Sequence, residues 1–368
     1  MEKTKVVIAS VLKPIDDTRM LEKFGLSMAE TNKYDINIIG IESKNNPSFN
    51  NIHFHPLKNF SRLSFARVLA KWRVFKIILK VKPKVLIVNT HELLIVSFLY
   101  KILFGTTFHY DIRENYLKNI LNTGIFSSVT KWPIAVYVRW KEFIYSPFIK
   151  HFILAEKIYT KQLPFIGNKY TVIENKYAPR DGERTAYKHT DPKGIDLVFT
   201  GTLSEENGLF DAIEWAGKLH ELDERVKLRI VGYCAQRSEL LRLREAIKGL
   251  DYVELNGGDH LVPHTEIVEA IEKADFGFVL KKNNNGTNDE KMLTRIFEYT
   301  ANRLPIILID NPYWSSYCDQ FNAALTLDSS TKPDTLLKEM NTKQFYDKGN
   351  VSESLWAGEE ARFLSLFN

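Results

Sequence analysis

The sequence predicts an α/β protein built from two doubly wound parallel sheets. Short apolar runs alternate with stretches of helical periodicity in both halves of the chain, the pattern of βαβ units. A polar, basic stretch punctuated by Pro and Gly, Lys176 to Gly194 (KYAPRDGERTAYKHTDPKG), separates the halves. The 368 residues, 44% of them hydrophobic, suffice for two domains with substantial cores. The expected divisions are a first domain at 1–180, a linker at 181–194, a second domain at 195–348, and a C-terminal helix at 349–368 that crosses back to the first domain.

The first domain opens with an apolar strand, Val6 to Ala9, a loop KPIDDTR ending at Arg19, a helix carrying Met20, Phe24, Leu26 and Met28, and a strand at Ile36 to Ile39. The first loop is not GxGxxG, so a dinucleotide fingerprint is absent. A helix follows over Phe60 to Lys82, with Phe65, Val68, Trp72, Phe75 and Leu79 as its packing stripe and Arg62, Arg67, Lys71, Arg73, Lys80 and Lys82 mostly off it. Next come a strand at Val85 to Val88, a helix from Leu93, a strand at Phe108 to Asp111, and a loop with Arg113, Glu114 and Asn115. That loop lies past the carboxyl end of a parallel strand, where open α/β sheets bind ligands. Ile125 to Ile149 is aromatic and basic, and Phe152 to Ala155 and Tyr170 to Ile173 close the sheet. Second-domain strands are expected at Leu197–Thr200, Leu228–Val231, Val253–Leu255, Phe276–Val279, Ile306–Ile309 and Ala324–Leu327.

Charge is unevenly shared. Residues 1–180 carry 28 Lys+Arg against 13 Asp+Glu, a net of +15, whereas the whole chain is +5. Such asymmetry points the first half at something anionic, and anionic membrane or a phosphorylated acceptor fits better than nucleic acid, for which no motif is present. The aromatic-basic mix of 125–149 also suits a membrane interface or a lipid-linked substrate. Two distant cysteines, Cys234 and Cys318, without CxxC, argue for a reducing compartment and against a zinc site. The N-terminus has neither the apolar length nor the cleavage site of a signal peptide, and Val85 to Phe104 is too interrupted to span a bilayer. The expected location is cytoplasmic, at the inner face of the cell membrane.

The most informative stretch is Asn284 to Asp310, NNGTNDEKMLTRIFEYTANRLPIILID. It reads as a polar loop, a helix with Met292, Ile296 and Tyr299 on one face, and a buried strand. A helix N-terminus beyond a parallel strand attracts anions through unpaired N–H groups and the helix dipole. Thr294 and Arg295 add a hydroxyl and a guanidinium there, and Glu298, one turn on, suits two ribose hydroxyls. Together they fit a nucleotide diphosphate. Thr200-Gly201-Thr202 and Gly232 fall at the same sheet edge.

Taken together, these pieces resemble the glycosyltransferases of the GT-B fold, family 4, over nearly the whole length. IASVLKPIDDTRMLEKFGLSMAE is similar to that family's opening strand, loop and helix; THELL and FHYDIRENYLKNI to two of its ligand loops; TVIENKY to the strand entering the linker; VFTGTLSEENGLFDAIEWA to the start of its donor domain; and LTRIFEYTANRLPIILID to its most specific segment. The resemblance implies two Rossmann-like domains with parallel sheets facing across a cleft, the second holding a nucleotide-diphosphate sugar (UDP- or GDP-sugar) and the first an acceptor. It implies retaining transfer without cofactor or metal. By carry-over Glu298 holds the ribose, Arg295 stands on the diphosphate in place of the usual Lys, and Glu290 lies near the donor sugar. Asp17, Arg19, Glu92 and Glu114 fall on the acceptor side. The sequence departs from the family at Arg113, which replaces the catalytic-loop His and cannot act as a base at neutral pH, and at Asn207, where a basic residue is usual.

The reaction expected is transfer of a sugar to a hydroxyl of a glycan or lipid-linked precursor in cell-surface polysaccharide synthesis. A GT-B nucleotide-sugar epimerase and a degenerate glycan- or nucleotide-binding protein are the alternatives. Each site residue also has a structural reading. Glu298 could pair with Arg295 or Arg303, Arg295 could be a surface charge, Glu290 simply exposed, and Arg113 paired with Glu114. Asp17 and Arg19 could cap and brace the first helix, and His260 and His264 read as isolated surface residues.

Overall fold

The computed structural model describes residues 3–43, 48–60, 65–122, 127, 129–179, 194–282 and 290–367. Most of the expected linker, residues 180–193, and the loop residues 283–289 lie outside this set. The chain divides into one unit of Met1–Ala178 with Glu359–Asn368 and another of Pro179–Gly358.

In the first unit, strands β1 (Thr4–Pro14), β2 (Tyr34–Ile41), β3 (Ile52–Leu57), β4 (Val85–Val88), β5 (Thr107–Ile112), β6 (His151–Leu154) and β7 (Tyr170–Val172) form a sheet in the order β3-β2-β1-β4-β5-β6-β7. All its named pairings are parallel. Val6, Val7, Ile36, Ile38, Leu86 and Val88 are fully buried, as strands covered on both faces must be. Strand β3 (IHFHPL) was not among the expected elements; two His and a Pro interrupt its apolar pattern, and such residues suit an edge.

The first helical segment is π-helical over Arg19–Gly25, with Lys23 N–H reaching Thr18 O at 3.0 Å, before one α-helical turn-and-a-half at Leu26–Glu30. The Phe65–Val81 helix buries Ala70, Val74 and Ile78, and Trp72, expected on its packing stripe, is 42% exposed. Apolar residues lie on both sides of this helix, so period alone does not choose the packed face. The C-terminal helix Ala357–Leu364 places Phe363 in a stack on Phe24 at 4.1 Å, and buried Glu359 pairs with Lys176 at 2.9 Å. Among the described residues no helix is long and apolar enough to cross a membrane.

Glu142, on the Lys131–Tyr145 helix, is 1% exposed. It accepts from Tyr110 OH at 3.0 Å and lies 3.3 Å from Arg139. Burial pushes its carboxyl up to about 7, with Arg139 and Tyr110 only partly opposing. The folded protein therefore keeps a proton that the unfolded chain releases near pH 4.5. The associated stability is present below that pH and is lost as pH rises through about 7. Glu142→Gln, which imitates the protonated carboxyl, is expected to melt close to the wild type at pH 5 and above it at pH 8, by at most ~3 kcal/mol. Thermal melts at the two pH values check this; a gap that does not widen with pH would contradict it.

In the second unit, β8 (Ile195–Thr202), β9 (Val226–Tyr233), β10 (Val253–Gly258), β11 (Phe276–Val279), β12 (Ile306–Ile309) and β13 (Ala324–Leu327) run in the order β10-β9-β8-β11-β12-β13. This is the doubly wound order 3-2-1-4-5-6, whose direction of winding reverses between β8 and β11. Ligands bind such sheets at that reversal, outside the strands' carboxyl ends. Phe199, Ile230, Phe276, Phe278 and Ile307 are fully buried and make the sheet rigid beneath the edge.

Candidate functional site

At the carboxyl edge of the second sheet three glycines stand side by side. Gly201 on β8 is in register with Gly232 on β9, and Gly232 with Gly257 on β10. A Cβ on Gly232 would come 1.8 Å from Gly201 O, and one on Gly257 would come 2.2 Å from Gly232 O. Gly201 and Gly257 also have φ of +97° and +95°, where other residues are strained. The three strand ends therefore approach too closely for side chains, and the edge is bare backbone. Gly232 and Gly201 were expected here; Gly257 was missed, because a Gly-Gly pair in NGGDH reads as an ordinary turn. Thr202 ends β8 beside Gly201, and Thr200 O–H shares a 3.0 Å hydrogen bond with Tyr299 OH.

The Thr294–Ala301 helix begins at this edge with no side-chain cap on its first turn. Arg295 reaches back from it: its guanidinium carbon sits 4.6 Å over the Phe199 ring, and its Nη2 lies 3.5 Å from where a Cβ on Gly201 would be. Among the described residues it has no salt-bridge partner, and its charge rests on the Phe199 face with Glu298 one helical turn away. Burial lowers its pKa, with Tyr299 and Glu298 opposing. A part-buried guanidinium without a carboxylate is a place where an anion is stabilised. Glu298 pairs with His264 Nε2 at 3.2 Å, both side chains mostly buried at 14% and 18% exposed. His264, read from sequence as an isolated surface residue, is thus part of this site; only the fold brings the start of the His264–Lys273 helix to a helix that starts thirty positions later. The alternative pairing of Glu298 with Arg295 or Arg303 does not form. Glu290 is half-buried at the border of the described residues, just before Lys291, whose carbonyl accepts from buried Trp314 Nε1 at 2.9 Å. Asn207 braces its own loop, donating to Thr202 O at 3.1 Å and to Ser204 Oγ at 2.9 Å.

In the first unit, the loops after β1 and β5 are tied by four alternating charges. Arg19 donates to Asp111 through Nε (3.0 Å) and Nη2 (2.8 Å) and to Ile173 O through Nη1 (2.9 Å), with both side chains 2% exposed. Arg113 donates to Asp17 Oδ2 at 3.0 Å and to Asp111 Oδ2 at 3.2 Å. Arg113 therefore pairs with Asp17 and Asp111, not with Glu114, which accepts from Asn119 at 2.8 Å. Burial alone would raise the Asp17 carboxyl, but the Arg113 guanidinium outweighs it and holds it well below the carboxylate range. Asp17 also accepts from the N–H groups of Arg19 and Met20 at 3.1 and 3.0 Å, capping the turn that follows. Beyond β4, Glu92 is bound by Arg67 Nε at 2.8 Å, and Lys141 donates to His91 Nδ1 at 2.7 Å. Burial lowers His91 to about 4, so its ring is neutral and accepts. Among the described residues no cluster of His, Cys, Asp or Glu could hold a metal ion.

Solved structures share this architecture end to end. Sucrose-phosphate synthase from Thermosynechococcus elongatus matches with a TM-score of 0.64 at 12% identity, over 100% of this chain and 95% of that one. Anabaena HepE in complex with UDP-glucose matches with 0.64 at 10% identity, over 98% of each chain. The fold is GT-B. The catalytic domain of starch synthase IV from Arabidopsis thaliana, bound to ADP and acarbose, has the same fold, with a TM-score of 0.61 at 11% identity over 100% of this chain and 99% of that one. No protein-family model and no curated protein sequence matches the chain. At these identities the likeness establishes the GT-B fold, and the chemistry has to be argued from the residues.

Proposed function

We propose that this chain is a retaining glycosyltransferase that moves a sugar from a UDP- or GDP-sugar to a hydroxyl of a glycan or lipid-linked precursor of cell-surface polysaccharide. The observation that carries the reading is Arg295, a part-buried cation with no salt-bridge partner among the described residues, beside the bare Gly201 backbone, with Glu298 one helical turn away. Structures sharing the fold hold UDP-glucose or ADP, which supports a nucleoside diphosphate as the ligand here. In this reading Gly201, Thr202, Gly232 and Thr294 approach the diphosphate with backbone and hydroxyl groups. Arg295 neutralises it, Glu298 accepts from the ribose hydroxyls, and Glu290 lies by the sugar.

As the anomeric carbon–oxygen bond breaks, charge collects on the departing phosphate, where the helix end and Arg295 stabilise it. The acceptor oxygen bonds to the anomeric carbon on the same face, and its proton passes to that phosphate oxygen. No protein base is needed, which accommodates Arg113. The first unit takes the acceptor, with Glu92, Glu114, Asp17 and Arg113 toward it and Arg19 bracing Arg113 through their shared Asp111. Its net charge of +15 over residues 1–180 favours an acceptor or a surface carrying phosphate.

Thermal shift against UDP, GDP, ADP, CMP, dTDP and their sugars tests the reading. A ligand at a hundredfold over its Kd is expected to stabilise by roughly 2.7 kcal/mol. Glu298→Ala is expected to remove most of that shift for the preferred nucleotide. Absence of any shift with every nucleotide would overturn the proposal. The engagement of Arg113 by two carboxylates favours one second reading, a binder without turnover. A shift retained with no product from any acceptor would select it.

A further inference from the structure

We propose that the Lys131–Tyr145 helix docks the first unit on the surface of an anionic lipid bilayer. The inference stands on the first unit alone and does not depend on the sugar-transfer reading.

The helix turns Ala135, Val138 and Glu142 inward. Its outer side is apolar: Trp132, Tyr137, Trp140 and Phe143 are 60%, 58%, 60% and 61% exposed, and Val136 is 48% exposed. At about 100° per residue these positions fall within about 140° of arc, and no charged side chain interrupts them. A solvated helix presents the opposite pattern, and an apolar patch of this size on a folded protein marks an interaction surface. The neighbouring Leu94–Phe104 helix, in contact through Phe98 and Tyr145 rings 5.4 Å apart, ends with Leu103 and Phe104 exposed at 64% and 57%.

Charge selects the occupant. No acidic residue occurs between Glu114 and Glu142, and residues 1–180 carry +15. A second copy of this chain seated on the same face would bring two strongly basic units together, which is repulsive. Anionic lipid headgroups are attracted instead. Trp and Tyr rings are the side chains that rest at a headgroup boundary, and this face carries Trp132, Tyr137 and Trp140. A helix of 15 residues is ~22 Å long, short of the ~30 Å hydrocarbon core, so it lies in the interface.

Flotation with vesicles of phosphatidylglycerol and phosphatidylcholine, against pure phosphatidylcholine, tests the proposal. Wild-type protein is expected to bind the anionic vesicles at least tenfold more strongly, and Trp132→Ser/Trp140→Ser to lose at least tenfold of that binding while melting like the wild type. Quenching of wild-type tryptophan fluorescence by bromine-labelled acyl chains, which needs no variant, is expected on anionic vesicles. Absence of vesicle binding, binding unchanged in the double variant, or no quenching would each overturn the proposal. So would a dimer that the double substitution breaks without any vesicle binding. The same double variant keeps its nucleotide-induced thermal shift if the donor reading is right, so the two proposals fail separately.

Discussion

Arg295→Met is expected to weaken binding of the preferred nucleoside diphosphate by ~10–100-fold while leaving the unliganded protein no less stable. Most arginines this enclosed are held by a carboxylate, and truncating them exposes the partner's charge. Here the guanidinium rests on Phe199 at 4.6 Å, and burial has already lowered its pKa. Methionine keeps the packing stem and removes the desolvated charge, so nothing is orphaned in the free protein. With a diphosphate bound, the same change removes charge-assisted hydrogen bonds. In sugar transfer, where negative charge grows on the leaving group, the loss is expected to reach ~10²–10³-fold in turnover. Calorimetric titration together with a melt of the free protein decides the matter. Unchanged affinity would remove Arg295 from the diphosphate, and a large drop in the free protein's stability would make it a structural residue.

Much of this was legible because parallel strands buried on both faces read as unbroken apolar runs. Those of β8, β11 and β12 fall at or within two residues of the expected ones. The helix carrying Arg295 and Glu298 was legible for a similar reason: a polar loop, a helical apolar face and a Pro-closed strand follow one another in a short span. What escaped were facts of juxtaposition. Nothing local to NGGDH shows that Gly257 lies against Gly232, since that follows from register between neighbouring strands. His264 meets Glu298 across 34 positions, and a lone His near acidic residues has no spacing that reveals it. Arg113 lay beside Glu114 in sequence, yet the strand end turns it toward Asp17, 96 positions away. The edge strand β3 was lost because edge strands tolerate the His and Pro that hide them.

The charge network of the first unit is expected to show the largest effect on stability. Asp111→Asn should cost ~3–5 kcal/mol, because Asp111 answers two guanidiniums at once, Arg19 at 2.8 Å and Arg113 at 3.2 Å. Removing its charge leaves Arg19, 2% exposed, with neutral groups only to receive it, the Asn amide oxygen, Ile173 O and the Phe24 face. An orphaned carboxylate can relieve itself by taking up a proton, but a guanidinium cannot release one in any accessible range. The loss should therefore persist from pH 5 to pH 9 with little change. Arg19→Met, which instead leaves the buried Asp111 carboxylate with Arg113 as its one cation, should recover part of its loss as pH falls. Denaturant melts of both variants across that range separate the two behaviours, and a pH-independent deficit in Arg19→Met would show that packing over Phe24, 4.6 Å from the guanidinium, outweighs the charge. Because Arg113 hangs on the same carboxylate, Asp111→Asn should also loosen the loop after β5, so that any acceptor-dependent activity falls further than donor binding, which the proposed reading assigns to the other unit.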